Sequence, residues 1–460
     1  MKGIRTEDAE GILLSLIDGA MRLGAAGVDA IFDMSRSFSV SLCDGEPEED
    51  AAGEEKSIGL RFVDADGRQG VVATNDFAKD TLSALPEWGM RNCRAGDADP
   101  WVRLPDVAVF RSAGDPGDLM LVDERIPSLA RKDRVDACVR MTDAARAVPP
   151  LRGVRVCSVR SAEWNDWESA RCYVTSTGIL GWSRMTGVSL GTTVVLDDGL
   201  TRNMGGYDAQ SHRLDAVDPC ATAREAVRRT ALTFGGRAVA KGRYDLVLDV
   251  PVVADLLDVL GDLFLSSSVH RKQSFLAGKI GEPVAGRELS LVDDGRLAGG
   301  MGTAPFDDEG VPTSRTSLLD RGILTGYLYD LRNAAEDGVS STGNACRSVC
   351  SPPDVSASNL LMGPGRRSRE DLVASVGKGI LVTELMGLHT VDPVSGDYSL
   401  GIRGVLLRGG ETGAPISGMT MAGTLQDLLL RVDGVADDLT LRGNVGACTM
   451  VVRDVMVAGD

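Results

Sequence analysis

Ser-Phe-Leu-Ala-Gly-Lys-Ile-Gly-Glu (274–282), Leu-Ser-Leu-Val-Asp-Asp-Gly (289–295), Phe-Asp-Asp-Glu-Gly-Val-Pro-Thr (306–313), Arg-Gly-Ile-Leu-Thr-Gly-Tyr-Leu-Tyr-Asp (321–330) and Ser-Thr-Gly-Asn-Ala-Cys-Arg (341–347) succeed one another in the second half of the chain. Short apolar runs alternate here with Asp-Gly, Glu-Gly and Arg-Gly pairs, in which Gly supplies the positive φ that tight turns need. The reading is a succession of short strands joined by turns. From about residue 379 onward Gly alternates with β-branched residues, so the pattern predicts sheet to the end, with one helix over 424–432.

Upstream, helices and strands are mixed. Thr6 with Glu7, Asp8 and Glu10 caps a first helix whose apolar positions are Ile12, Leu13, Leu16, Ile17, Ala20 and Met21, ending near Gly24. Residues 30–42 alternate as one strand or two short ones. The acidic segment 44–55 has no apolar side chain larger than Ala and reads as a solvated loop. Asp64-Ala65-Asp66-Gly67 marks a hairpin between 58–63 and 69–74, and Asp76 is placed to cap the next helix. A helix is expected over 128–147, stopped by Pro149-Pro150. Residues 153–161 and 168–177 look like paired strands, and 187–196 extends that sheet. Asp218-Pro219 combines a capping side chain with a proline where no amide hydrogen is needed, and opens a helix to Phe234. Strand 244–250 then leads into a helix from Pro251 to Phe264.

Composition sets bounds. A chain of 460 residues with 43% hydrophobic and 25% charged residues has the make-up of a soluble globular protein of two or three domains. A formal charge of −17 opposes direct nucleic-acid binding, which depends on Lys and Arg displacing counterions. Nine Cys, an odd number, do not form a disulfide framework, so the expected home is the reducing cytoplasm. The first ten residues read as a helix start instead of a signal peptide. No apolar run reaches the ~18 residues of a membrane span; the longest, 247–265, is broken by Asp249, Asp255, Asp258 and Asp262.

The order of the glycine-punctuated pieces quoted above resembles the TldD/PmbA family, also known as modulators of DNA gyrase or TldD/TldE-type metallopeptidases. The resemblance runs to the C-terminus and fades toward the N-terminus. It implies an α+β fold: N-terminal mixed subdomains with helices packed on antiparallel sheet, followed by a larger β-rich C-terminal domain. The segments are placed at 1–115, 116–235 and 236–460, with a boundary near 113–118.

In the active subunits of the family, the helix corresponding to 251–264 carries His-Glu-x-x-x-His. Two imidazoles grip one Zn²⁺ and the Glu acts as base toward the bound water. Counting back from Ser274-Phe275, those positions fall on Leu257, Asp258 and Asp262. Leu cannot ligate, and His270 is the only His nearby in a chain with three. The apolar residues of this helix cover nearly its whole circumference, which means burial. A third family ligand is a Cys in a Gly-x-Cys-Gly setting. Asn444-Val445-Gly446-Ala447-Cys448 resembles it in part, but Thr449 follows, and a lone Cys among Met450, Val451 and Val452 reads as a small buried hydrophobe. The resemblance therefore implies no catalytic residue, no metal and no cofactor in this chain, with zinc confined to a TldD-type partner.

The segment His389-Thr390-Val391-Asp392-Pro393-Val394-Ser395-Gly396-Asp397-Tyr398 resembles one that lines the peptide cleft in the family. Its candidate cleft residues are His389, Thr390, Asp392, Asp397 and Tyr398; a structural turn is the competing reading. Gly187-Val188-Ser189-Leu190-Gly191 has the spacing of a hydrolase elbow, which requires strand, turn and helix around Ser189; a strand-like run follows instead. Cys346 and Cys350 have no accompanying pair with zinc-finger spacing. Asp293-Asp294 and Asp307-Asp308-Glu309 precede glycines and read as solvated turn residues before a hard-cation site.

These readings imply a PmbA/TldE-like, metal-free subunit that joins a TldD-type zinc peptidase subunit in a heterodimer and degrades or processes unfolded peptides with it. The alternative is a homodimeric peptide- or ligand-binding protein without peptidase activity.

Overall fold

Asp44 and Gly45 both take positive φ, 52° and 93°, and this two-residue turn joins strand β1 (Gly27–Cys43) to β2 (Glu46–Val63). Primed turns of this kind match the twist of the strands they connect. The acidic segment expected as a loop is therefore mostly strand: residues 46–55 of β2 pair with β1, with one bulge at Glu48, and their side chains are exposed. Charge kept these residues out of the core without keeping them out of the sheet. The computed structural model describes residues 6–112 and 119–459. The expected boundary at 113–118, the lead-in 1–5 and the Thr6 and Glu7 capping side chains lie outside the residues described.

Hairpin β2–β3 (Gln69–Thr74) forms as expected around Asp64–Gly67. The expected strand pair 153–161 and 168–177 is instead one continuous strand, β4 (Arg155–Thr175), which pairs with β1 on one side and β5 (Leu180–Asp197) on the other. Residues 162–167 bridge the two expected halves, and no Gly or Pro among them breaks the strand. With β6 (Arg202–Ser211) the order is β3-β2-β1-β4-β5-β6, one antiparallel sheet. Helices α1 (Thr6–Arg22), α2 (Lys79–Ala95), α3 (Val107–Ser112), α4 (Arg131–Arg146) and α5 (Pro219–Leu232) belong to this half. Asp218 caps α5 by accepting from Cys220 N and Ala221 N. Two apolar cores form under the helices, one below α1 and α2 and one below α4 and α5. Buried Arg134 of α4 forks onto Asp166 of β4 at 2.5 and 2.9 Å.

The remainder is β-rich. Strand β7 (Gly242–Leu248) is central to a sheet with strands Lys378–Met386, Asp397–Arg408, Glu411–Thr424, Met450–Gly459 and Val432–Val435. Pairing of Met419–Met421 with Val457–Gly459 closes five of these strands into a barrel. After β7 come α6 (Val250–Gly261), a 3-10 turn Asp262–Phe264 and the short α7 (Ser266–His270). Within 274–347 only Leu291–Asp294, Arg315–Asp320, Ile323–Leu324 and Ala345–Cys346 are strands. Arg321 and Gly322, at φ 48° and 79°, form the Arg-Gly turn read from the sequence. A helix, α8 (Leu331–Asp337), follows instead of further strand, because Asp330 caps it through Asn333 N and Gly338 ends it left-handed. The protein is thus α+β, with helices on antiparallel sheet first and a β-rich body after. No helix among the described residues is long and apolar enough to cross a membrane.

Candidate functional site

Helix α6 begins at Val250, and Pro251 stands in its first turn, where a missing N–H costs nothing. Val252, Val253, Leu256, Leu257 and Leu260 are buried against the barrel and the strands around it. The burial is not all-round, as the sequence suggested. Asp255, Asp258 and Asp262, spaced i, i+3, i+7, form an exposed stripe. Leu257, expected from the family resemblance at an imidazole position, is only 2% exposed and shares one apolar cluster with Cys448, which is wholly buried. The Cys448 thiol is pushed up to about 12 by burial and the nearby Asp438 and Asp437, so it stays protonated. Leu257 and Cys448 thus lie in the same core, one without a donor and one as a neutral thiol, while Asp258 and Asp262 face solvent. This donor set does not fit Zn²⁺, whose ligands are thiolate, imidazole or carboxylate gathered on one centre. Among the described residues no cluster of three or more His, Cys, Asp or Glu is arranged to hold a metal.

The segment 389–398 forms a 3-10 turn, Leu388–Thr390, and the start of strand Asp397–Arg408. His389, Thr390, Asp392 and Asp397 are exposed, whereas Tyr398 turns inward into the core cluster. Asp392 closes the turn by accepting from Val394 N (2.8 Å) and Ser395 N (3.2 Å), which hold its carboxyl below the usual range. Leu388 and Val391 anchor the segment on the same cluster that contains Leu257. Ser189 lies in the middle of β5, paired with Asn165 and Gln210, with no turn or helix after it. The nucleophile elbow is absent. His212 is buried, its ring nitrogens 2.6 Å from Thr186 O and 3.3 Å from Gly300 O.

The turn carboxylates correct a further expectation. Asp293, Asp307 and Glu309 are buried, at 0%, 6% and 1% exposure. They are structural anchors, because backbone N–H groups converge on them. Asp307 accepts from Glu309 N, Val311 N and Ala345 N, each at 2.9 Å. Asp293 takes Asn344 Nδ2 at 2.7 Å and Ser358 N at 2.8 Å, and burial still lifts it to about 6. Glu309 belongs to a buried ion network that joins the first sheet to these loops. Arg61 of β2 donates through Nε to Asp29 Oδ2 at 2.7 Å and through Nη1 to Glu309 Oε1 at 3.2 Å. Arg347 Nη1 reaches the other Asp29 oxygen at 2.7 Å. Tyr173 donates its hydroxyl to Glu309 O at 3.0 Å. Burial lifts Glu309 to about 7, with Arg61 pulling the other way. Gly59 lets the sheet meet the loop here: a Cβ would sit 2.0 Å from Val349 O.

A cleft of about 690 Å³ opens beside this network, between β2 and β3 on one side and α7, α8 and residues 346–354 on the other. His270 is clamped at its rim, Nδ1 2.8 Å from Asn333 Oδ1 and Nε2 2.9 Å from Asp337 Oδ1. Cys346 lines the same cleft, but burial raises its thiol first and Asp308 adds to that. With both imidazole nitrogens engaged and the thiol protonated, the pair is unsuited to nucleophilic catalysis. Arg271 and Arg332 are matched by Asp354 (3.0 Å) and Asp99 (2.9 Å). The cleft is therefore lined from both halves of the molecule.

Sequence reasoning missed Asp29, Arg61 and Arg347. Its available signal was a charged residue inside the apolar run Ile58–Val63, a placement that burial tolerates only with a partner.

Three stretches match successive models of one family: residues 28–92 the PmbA/TldA metallopeptidase domain 1, 124–233 its central domain and 241–459 its C-terminal domain. The chain is 25% identical to the metalloprotease PmbA of Escherichia coli O157:H7, over 100% of this chain and 99% of that one. A metalloprotease TldD homolog of Haemophilus influenzae is 34% identical over 49% of this chain and 47% of its own length. Among solved structures, a putative modulator of DNA gyrase from Bacteroides thetaiotaomicron has a TM-score of 0.88 at 26% identity, covering 99% of this chain and all of that one. TldE from Thermococcus kodakarensis shares the fold, with a TM-score of 0.86 at 19% identity over 97% of this chain and all of that one.

Proposed function

This chain belongs to the PmbA/TldD metallopeptidase family, and from that premise we propose that it is the metal-free, PmbA/TldE-like member of a two-subunit peptidase. Its role is peptidase-related, as its relatives' names indicate. The observation that supports the finer reading is the packing of Leu257: an aliphatic side chain fills the core, at the position that the family resemblance assigns to an imidazole. Its partner is a family member with an intact His-Glu-x-x-x-His helix, and only that subunit binds zinc and polarises water. Unfolded peptides are the shared substrate, with the exposed side chains of His389, Thr390, Asp392 and Asp397 lining the cleft for them. Tyr398 supports that turn from beneath. The expected setting is the cytoplasm.

Two experiments test this. Co-expression with a zinc-bearing relative is expected to give a stable heterodimer that cleaves unfolded peptides, while the chain alone does not. A stable homodimer that recruits no such relative contradicts the reading and favours the alternative, a peptide-binding protein without peptidase activity.

A further inference from the structure

On the face of the first sheet turned toward residues 304–308, two register rows cross four strands. Ser57, Asp33, Arg171 and Ser183 form one row, and Glu55, Ser35, Ser169 and Met185 the next, running β2-β1-β4-β5. Four serines leave this floor low. Phe306, Ala304 and Asp308 from the β-rich body wall it on one side, enclosing a cavity of about 460 Å³ at the junction of the two halves. Sites for small groups favour such junctions.

The walls are fixed. Phe306 stacks edge-on against Phe110, centroids 5.2 Å apart. Asp307, next in sequence, is pinned by three backbone N–H groups. Arg171 forks onto Asp33 at 2.6 and 2.7 Å and pairs with Asp308. Arg171 is the one cation among the described lining residues, against the carboxylates of Asp33, Asp308 and Glu55. The pocket therefore has two negative charges in excess, hydroxyls that accept hydrogen bonds, and the apolar surfaces of Met185 and Phe306.

From this juxtaposition we propose that the cavity is a binding pocket for a cationic side chain, the lysine or arginine of a peptide. The alkyl stem lies along Met185 and Phe306, and the head group meets Glu55, Asp33 and the serine hydroxyls. A carboxylate ligand is repelled, and a neutral apolar one leaves the excess negative charge uncompensated. The proposal does not depend on pairing with a zinc-bearing subunit, so the two readings fail separately.

The test uses the full-length chain and fluorescence anisotropy at low ionic strength. The probes are a labelled Gly/Ser peptide with one central Lys, the same peptide with norleucine, and acetyl-lysine amide as a competitor. The lysine peptide is expected to bind at least about tenfold more tightly than the norleucine peptide. Competition by acetyl-lysine amide assigns the recognition to the side chain alone; competition only by lysine peptides adds contacts to the flanking backbone; both outcomes support the pocket. Glu55→Lys, on an exposed strand position, and Ser57→Lys each place an ammonium inside the cavity and are expected to abolish the lysine preference, with circular dichroism confirming the fold. Equal binding of the two peptides, no binding of either, or an unchanged preference in both variants overturns the proposal.

Discussion

Replacing Arg61 by Met removes the guanidinium shared by Asp29 and Glu309 and keeps a stem of similar length. Asp29 retains Arg347 at 2.7 Å, whereas the Glu309 carboxylate is left with the Leu331 N–H at 2.9 Å. All three ionic groups are nearly solvent-free, so removing one partner is expected to cost about 3–5 kcal/mol. The cost also has a pH signature. Burial holds Glu309 near 7 against an ordinary value of 4.5, even with Arg61 opposing that rise. A carboxyl raised in the folded state contributes stability fully below the unfolded value and loses it as pH climbs through the folded one. In the wild type that loss falls between about 4.5 and 7. In Arg61→Met the carboxyl is raised further, so the loss continues above 7. The penalty is therefore larger at alkaline pH than near neutrality, by about 1.4 kcal/mol for each unit of further rise. Urea denaturation followed by tryptophan fluorescence, at about pH 6 and about pH 8.5, measures it. A penalty under about 1 kcal/mol, the range of an exposed pair, or one that is equal at both pH values refutes the reasoning.

Glu309→Gln keeps an acceptor for Leu331 N–H and deletes the titration, so the fall in stability between about 4.5 and 7 becomes shallower; urea midpoints across that window read it, and an unchanged slope counts against the assignment. Leu257→Ala is expected to cost about 2–5 kcal/mol because it empties a packed site, while Asp258→Asn on the exposed stripe stays within about 0.5 kcal/mol; thermal melts separate them, and equal effects place the core on the wrong face of α6. Cys157 and Cys350 are exposed, whereas Cys138, Cys172 and Cys448 are buried with thiols pushed up to about 12. A thiol-reactive dye on the native chain is thus expected to label the first two and reach the other three only in denaturant; native labelling of Cys448 contradicts its placement.

Much of the fold was legible because local chemistry agreed with the final structure. Asp218-Pro219 opens α5, Asp64–Gly67 turns a hairpin, and Arg321-Gly322 turns another, each by a backbone preference that needs no tertiary context. Two of the errors share one cause. Strand β2 continues through an acidic segment because the ladder with β1 stabilises its backbone, whatever its side chains prefer. Asp293, Asp307 and Glu309 look like turn residues, and they do sit at turns, but their carboxylates collect N–H groups from loops distant in sequence. No short window contains those partners. The stripe Asp255, Asp258 and Asp262 was visible in the spacing, yet the aliphatic count around α6 outweighed it. At the candidate site, residue identity set the expectation that α6 lacks a zinc-gripping pair. That Leu257 and Cys448 meet in one core required the fold.

Zinc content measured on the purified chain, alongside peptide hydrolysis with and without a family member bearing the intact two-histidine helix, tests the central claim most directly. The account predicts no stoichiometric zinc and no hydrolysis from the chain alone, with hydrolysis appearing in the pair and zinc confined to the second subunit. One zinc per chain together with hydrolysis by the isolated protein contradicts it.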